Sequence, residues 1–279
     1  MANGRAPSEH TVFDQVSAEY DQLPVEFFGP VGERLVAMAG IRPGDRVLDI
    51  GCGRGAVTFP AARAAGATGS VLGVDLSPRM VEATRAKAAE LGLHRTRTLV
   101  MDGQKPTLPA GTFDAVVGGM SVHMVADLPT AYRAYRDLLR PEGRLALSAP
   151  ATDLSPRPRV FGLETIAELS AAYATDSDVY PNGEAFGGQD RLQDDLRVCG
   201  FTDVTLSVER AFIRAGTARD VVRWTWTHGM RRLWERVPQH RHAHLESRIA
   251  AEITAGHLDG GHVVLPVPVL YATATRPAA

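Results

Sequence analysis

Residues 47–55 read Val47-Leu48-Asp49-Ile50-Gly51-Cys52-Gly53-Arg54-Gly55, an apolar run that meets an acid and then a glycine-rich turn. Glycines at alternate positions let the backbone approach a ligand where a Cβ would collide. The small and apolar residues that follow, Ala56 to Ala62, open a helix. Strand, glycine turn and helix together make a nucleotide site, because free N–H groups at a helix N-terminus face the ligand.

Two nucleotides fit the pattern. Gly51-x-Gly53-x-x-Ala56 satisfies the loose dinucleotide fingerprint, and Asp75 lies near the expected ribose acid, about 20 residues on. A dehydrogenase is therefore one reading. Asp49 favours the other, since a carboxylate two residues before the first glycine would repel a pyrophosphate. A ligand with a positive end suits it better, and S-adenosylmethionine (SAM) carries an ammonium and a sulfonium and no phosphate. Leu48-Asp49-Ile50-Gly51-Cys52-Gly53-x-Gly55 resembles the first motif of class I SAM-dependent methyltransferases.

The resemblance continues in order over residues 41–150. Val71–Ser77 reads as a second buried strand ending in Asp75, whose carboxylate can accept both ribose hydroxyls, and Ser77-Pro78 starts a helix. A third strand, Thr96–Met101, ends at Asp102-Gly103, which in the family serve the adenine. Gln104 stands where the family usually has Glu. The fourth strand, Phe113–Val117, leads into Gly118-Gly119-Met120-Ser121-Val122-His123, and Leu138–Leu145 matches the passage into the fifth strand. The resemblance implies cofactor contacts from Tyr20, Asp49, Gly51, Cys52, Gly53, Gly55, Asp75, Leu76, Met80, Asp102, Gly103 and Gly119. The fold it implies is α/β, a Rossmann-like seven-stranded class I methyltransferase sheet with helices on both faces, an N-terminal helical lid and helical cap insertions.

Composition narrows the setting. A chain of 279 residues, 44% hydrophobic and 22% charged, can bury one good core. Its formal net charge of −2 gives no pull toward nucleic acid or an anionic membrane. No stretch approaches the ~18 apolar residues of a membrane span, and the first residues lack the apolar region of a secretion signal. Two cysteines, Cys52 and Cys199, read as reduced thiols in a cytoplasmic protein. The partners expected are a hydrophobic small molecule and, at most, a second copy in a homodimer, with neither nucleic acid nor membrane.

The whole chain, 1–279, reads as a single methyltransferase domain. Residues 1–40 form the lid, with helices over Thr11–Asp21 and Phe28–Ala39, and residues 41–150 form the cofactor core. The run Phe13 to Asp21 resembles the lid of UbiE-like small-molecule methyltransferases, where Tyr20 would fold over the methionine end of SAM; a core tyrosine anchoring the helix is the alternative. Beyond Pro150 lie two insertions, 151–189 and 214–258, of the kind that builds an acceptor pocket. Asp190–Gly200 reads as a helix, Phe201–Leu206 as the sixth strand, and Thr217–Val237 as one amphipathic helix carrying Trp224, Trp226 and Trp234. Arg241–Ala255 is another helix. In His262–Thr275 the prolines at 266 and 268 place the paired part of the closing strand after them.

Methyl transfer from a sulfonium is an in-line displacement, so alignment is the main task and one base suffices for a phenol or acidic carbon. His123 is the first candidate base, at the carboxyl edge of the fourth strand, with a structural His as the alternative. His228, flanked by Trp224 and Trp226, is the second. His240, His242 and His244 offer about two ligands per helix face, too few for zinc, and no metal is expected. Phe27, Phe28, Phe161, Tyr173, Tyr180 and Phe186 are candidates for an apolar acceptor wall. The expected activity is SAM-dependent methyl transfer to a hydrophobic small molecule of specialised metabolism. The alternative is a SAM-binding scaffold repurposed for cyclisation.

Overall fold

The computed structural model describes residues 9–151, 163–173 and 185–278. Phe161 and Tyr180, and most of the expected insertion 151–189, lie outside them. Strand β1 (Val25–Glu26) precedes the run β2 (Arg46–Ile50), β3 (Ser70–Asp75), β4 (Thr96–Val100), β5 (Phe113–Gly119), β6 (Leu139–Pro150), β7 (Thr202–Ala215), β8 (Leu258–Asp259) and β9 (His262–Thr275). They form one sheet in the order β1-β7-β9-β6-β5-β2-β3-β4, with β8 beside β9. Seven strands of five residues or more make the expected sheet, and two two-residue strands are added to it. Strands β2 to β6 run parallel, while β9 is antiparallel to both β6 and β7.

The centre of the sheet explains its sequence. Val47, Leu48, Asp49 and Ile50 of β2 are all buried, because β2 has β3 on one side, β5 on the other and helices over both faces. Helices α2 (Phe28–Ala39) and α3 (Thr58–Ala65) cover one face; α5 (Leu128–Leu138) and α7 (Gln189–Val198) cover the other. Helix α1 (Glu9–Val16) packs on α4 (Pro78–Glu90) and stops short of the expected Asp21, the chain turning through Ser17 to Pro24. As expected, Ser77 caps α4 by accepting from the Met80 amide at 3.2 Å.

Two expectations are corrected. The first concerns β9, which is paired along its whole length, Pro266 facing Phe212 and Pro268 facing Arg210 on β7. On its other side, pairing with β6 begins at Val269. The Val264 amide points to that other side, donating to His257 O at 2.9 Å. Residues 266 and 268 have the same parity, so their missing N–H groups point away from β7 and cost no bond to it. The sixth strand likewise runs past Leu206 to Ala215.

The second correction concerns Thr217–Val237, which is two helices, α8 (Ala218–Thr225) and α9 (Arg231–Arg236), with a break between them. Thr217 and Asp220 cap α8 reciprocally. At its other end the Thr225 hydroxyl donates to Val222 O at 2.6 Å and the Thr227 hydroxyl to Trp224 O at 2.9 Å. Such back-bonding competes with the helix ladder, and His228-Gly229 completes the turn. Helix α6 (Glu164–Tyr173) and helix α10 (Gln239–Gly256) complete this side of the molecule, α10 packing on α6 and α8.

Candidate active site

The glycine turn is stitched to β3. The amides of Gly51 and Cys52 both donate to Val74 O, at 2.8 and 3.0 Å. Gly51 has φ +69°, and a Cβ there would lie 2.5 Å from the Ser121 Cβ. Ser121 closes on the turn by donating to Ile50 O at 2.6 Å. The Gly53 amide donates to Asp75 Oδ2 and the Ser77 amide to Asp75 Oδ1, each at 2.9 Å. An ionised carboxylate has about four acceptor sites, so Asp75 keeps capacity on both oxygens for a ligand. Its pKa is raised, chiefly by burial, against the amides of Ser77, Gly53 and Leu76, which lower it.

Asp49 lies beneath this turn, fully buried and off the cavity wall. Its Oδ2 accepts from the Thr58 hydroxyl at 2.5 Å, and Oδ1 has no hydrogen-bond partner among the described residues. Burial pushes its pKa up to about 7. The start of α3 is not open to a pyrophosphate: Val57 is buried there, and a Cβ on Gly32 of α2 would strike the Ala56 carbonyl. That geometry disfavours the dinucleotide.

One cavity runs over the carboxyl ends of β2, β3 and β5. Gly51, Gly53, Asp75, Leu76, Met80, Asp102, Gly103 and Gly119 all line it. The charged side chains on its described wall, Asp75 and Asp102, are both acidic, which fits a cationic ligand. The Asp102 carboxylate accepts from the Gln104 amide at 2.8 Å, and Gln104 Oε1 accepts from the Asp127 amide, tying the loop to α5. Tyr20 covers the turn from the lid, its Cε1 3.9 Å from where a Cβ on Gly53 would be, with its ring stacked on Phe28 at 5.2 Å. The lid is held by Arg54 donating to Ser17 O at 2.8 Å and by the Ser77 hydroxyl donating to Asp14. Cys52 and Gly55 do not reach the main cavity. Cys52 borders a smaller hollow beside it, and Gly55 lies against the Phe59 ring.

The far end of the cavity is aromatic. Phe27, Phe28, His123 and His228 line it, with Met120 and Met124. His123 sits on a 3-10 turn, Val122–Met124, its ring edge-on to Phe186 at 6.1 Å. His228 occupies the break after α8, 4.2 Å from the Trp224 ring and 6.0 Å from Phe28. Burial lowers His123 to about 4 and His228 to about 3, so both rings are neutral near pH 7. Their basicity is well below the 6.5 that recommended His123 from sequence. Tyr173 does not line this cavity and takes a hydrogen bond from Arg241. His242 packs edge-on to Trp226 and Trp234, and Nε2 bonds Val237 O at 2.9 Å. Phe13, Met120 and Ser121 belong to the wall and were not singled out from sequence. Only the register of the loop after β5 brings the latter two there, and Met120 adopts φ +52° to do so.

The comparisons with known proteins agree with this geometry. A family model described as "Methyltransferase domain" matches residues 47–143. The chain is 40% identical over 276 residues to the nocamycin O-methyltransferase of Saccharothrix syringae, covering 96% of this chain and 98% of that one. It is 48% identical over 138 residues to the aklanonic acid methyltransferase DauC of a Streptomyces species, over 50% of this chain and 63% of that one. Among solved structures, the YcgJ protein of Bacillus subtilis shares the fold, with a TM-score of 0.59 at 16% identity over 90% of this chain and 99% of that one. The acid-lined cavity, the glycine turn and the near full-length relative make the chain a member of the class I SAM-dependent methyltransferases, related to the UbiE-like enzymes.

Proposed function

We propose that the chain transfers the methyl group of SAM to an oxygen of a hydrophobic small molecule in specialised metabolism. The observation that carries this reading is the single cavity that joins the Asp75–Asp102 end to the aromatic wall of Phe27, Phe28 and His228. Asp75 would hold the ribose, Asp102 and Gly103 the adenine, Leu76 and Met80 its faces, and Gly51, Gly53 and Gly119 the methionine end under Tyr20. Asp49 supplies its charge from below. Bound there, SAM supplies an electrophilic methyl carbon on a good leaving group. The protein's part is to align the acceptor and exclude water, which can contribute roughly 7–11 kcal/mol of barrier reduction.

The division of labour follows: residues 1–40 as lid, 41–150 as cofactor core, and 151–189 with 214–258 as walls of the acceptor pocket. The near full-length nocamycin O-methyltransferase supports oxygen as the methylated atom. Nucleic acid is not proposed as a partner, since no Lys or Arg stands on the described cavity wall. Among the described residues no helix is long and apolar enough to cross a membrane. Free Cys52 and Cys199 support a cytoplasmic setting, and the outer edge of β7, unpaired among the described residues up to Ile213, leaves room for a homodimer.

The test is incubation of the protein with methyl-labelled SAM and a panel of polycyclic acceptors. Label in an extractable product, with S-adenosylhomocysteine released in equal amount, is expected. A cyclised product without label would replace this reading with the scaffold alternative.

A further inference from the structure

A smaller hollow opens off the cofactor end of the main cavity, and Tyr20, Gly51, Gly53 and Gly119 border both. Asp21 and Arg54 stand on its wall. Among the described residues that line it they alone are charged, one of each sign. The glycine turn beside them has little left to offer an anion. Of the five amides of residues 51–55, four are spent: those of Gly51 and Cys52 on Val74 O, that of Gly53 on Asp75 and that of Gly55 on Cys52 O. The strongest donor on the hollow's wall is then the Arg54 guanidinium. Its Nη1 donates to Ser17 O at 2.8 Å, and a guanidinium offers five N–H groups in a fork that matches a carboxylate.

Asp21 is its complement. It follows Tyr20 in the turn after α1, with φ +53°. Burial pushes its pKa up to about 6, and the Arg54 charge pulls it down. Among the described residues no ion pair or hydrogen bond satisfies the Asp21 carboxylate. A carboxylate and a guanidinium that share a hollow unjoined leave their desolvation uncompensated, and a zwitterion between them would offset it. We propose that Asp21 and Arg54 together grip the amino-acid end of the methyl donor, Asp21 receiving the α-ammonium and Arg54 the α-carboxylate. This deepens the methyl-transfer reading above and rests on it. The tail of the donor occupies the smaller hollow, and its nucleoside occupies the main cavity. The same grip fastens the lid, because Asp21 belongs to the lid and Arg54 to the turn, where it already holds Ser17 O. A donor that lacks either tail group leaves one of the two charges unmet.

Decarboxylated SAM lacks only the carboxylate, so the ratio of its Kd to that of SAM isolates that group. In calorimetric titrations of the full-length protein near pH 7 the ratio should be about tenfold or more, as for a charge-assisted pair. Arg54→Gln should bring it below about threefold. The ratio is taken within one variant, so a loosened lid cancels from it. Arg54→Met serves for the same reading if the first variant does not fold. A ratio unchanged in the variant would overturn the proposal, because Arg54 would then hold Ser17 alone. For Asp21 the corresponding pair is S-adenosylhomocysteine and its des-amino analogue. The preference for the amine, about tenfold in the unaltered protein, should fall below about threefold in Asp21→Asn, and an unchanged preference would overturn the assignment. Failure of the unaltered protein to bind SAM would sink methyl transfer itself. Tight binding of SAM and of its decarboxylated form alike would sink the grip on the tail alone.

Discussion

The Gly53 amide donates to the Asp75 carboxylate at 2.9 Å, so the acid at the end of β3 also fixes the shape of the glycine turn that faces it. Removing that carboxylate acts twice, on the ligand and on the loop. Charge-assisted hydrogen bonds contribute about 1.5–3 kcal/mol each. Asp75→Ala should therefore weaken SAM binding by about ten- to a hundredfold in calorimetry. An unchanged Kd would refute the ribose assignment.

Gly51 carries a different constraint. Its φ of +69° and the Ser121 Cβ 2.5 Å from any added Cβ leave no room for alanine. Left-handed strain costs about 1–2 kcal/mol and overpacking about 1–3 kcal/mol. Gly51→Ala should lower the melting temperature by several degrees even without ligand. A variant as stable as the parent would mean that the turn and the β5 loop can separate freely.

The two buried histidines make stability depend on acid. Their folded pKa values, about 4 for His123 and about 3 for His228, lie below the unfolded value near 6.5. Below pH 6.5 the unfolded chain takes protons that the folded chain refuses, so stability falls as pH drops toward 4. Asp49, raised to about 7, works in the opposite sense, being protonated earlier in the folded state. Comparison with a variant isolates each His. His228→Gln should flatten the fall between pH 6 and 4 by roughly 1 kcal/mol per pH unit, read from urea midpoints. An identical slope would show that the ring charges without penalty.

Asp49 itself is a buried carboxylate with one oxygen unpartnered among the described residues. Asp49→Asn removes the charge and keeps the shape. Above pH 7 the cofactor-free variant should be the more stable protein, since a buried ion is removed, while its affinity for cationic SAM falls. Lower stability together with unchanged affinity would make Asp49 structural alone.

Much of this was legible in the chain. The glycine turn, the acids closing β3 and β4, and the helix starts at Ser77 and Phe28 depend on local chemistry, and local chemistry is written in consecutive residues. The single helix expected over Thr217–Val237 failed because hydrophobic spacing does not reveal that Thr225 and Thr227 turn back on their own carbonyls. The closing strand was misjudged because a proline's cost depends on which side of the strand has a neighbour. The depressed His123 and His228 are unreadable for a related reason: Phe186 packs on the first and Phe28 on the second, both far away in sequence.

Pro266 and Pro268 mark where β9 stops being an interior strand. Upstream of them it pairs with β7 and the short β8, and this ribbon flanks the stretch of chain that bears α8, α9 and α10. The wall that carries His228 is thus cantilevered from the sheet that bears the cofactor turn. Residues 216–257 supply none of the acids or glycines of the cofactor end, and they meet it through Trp224 on Phe28 and Phe28 on Tyr20. A new acceptor preference could then arise by replacing that overhang while the Trp224–Phe28 contact is kept.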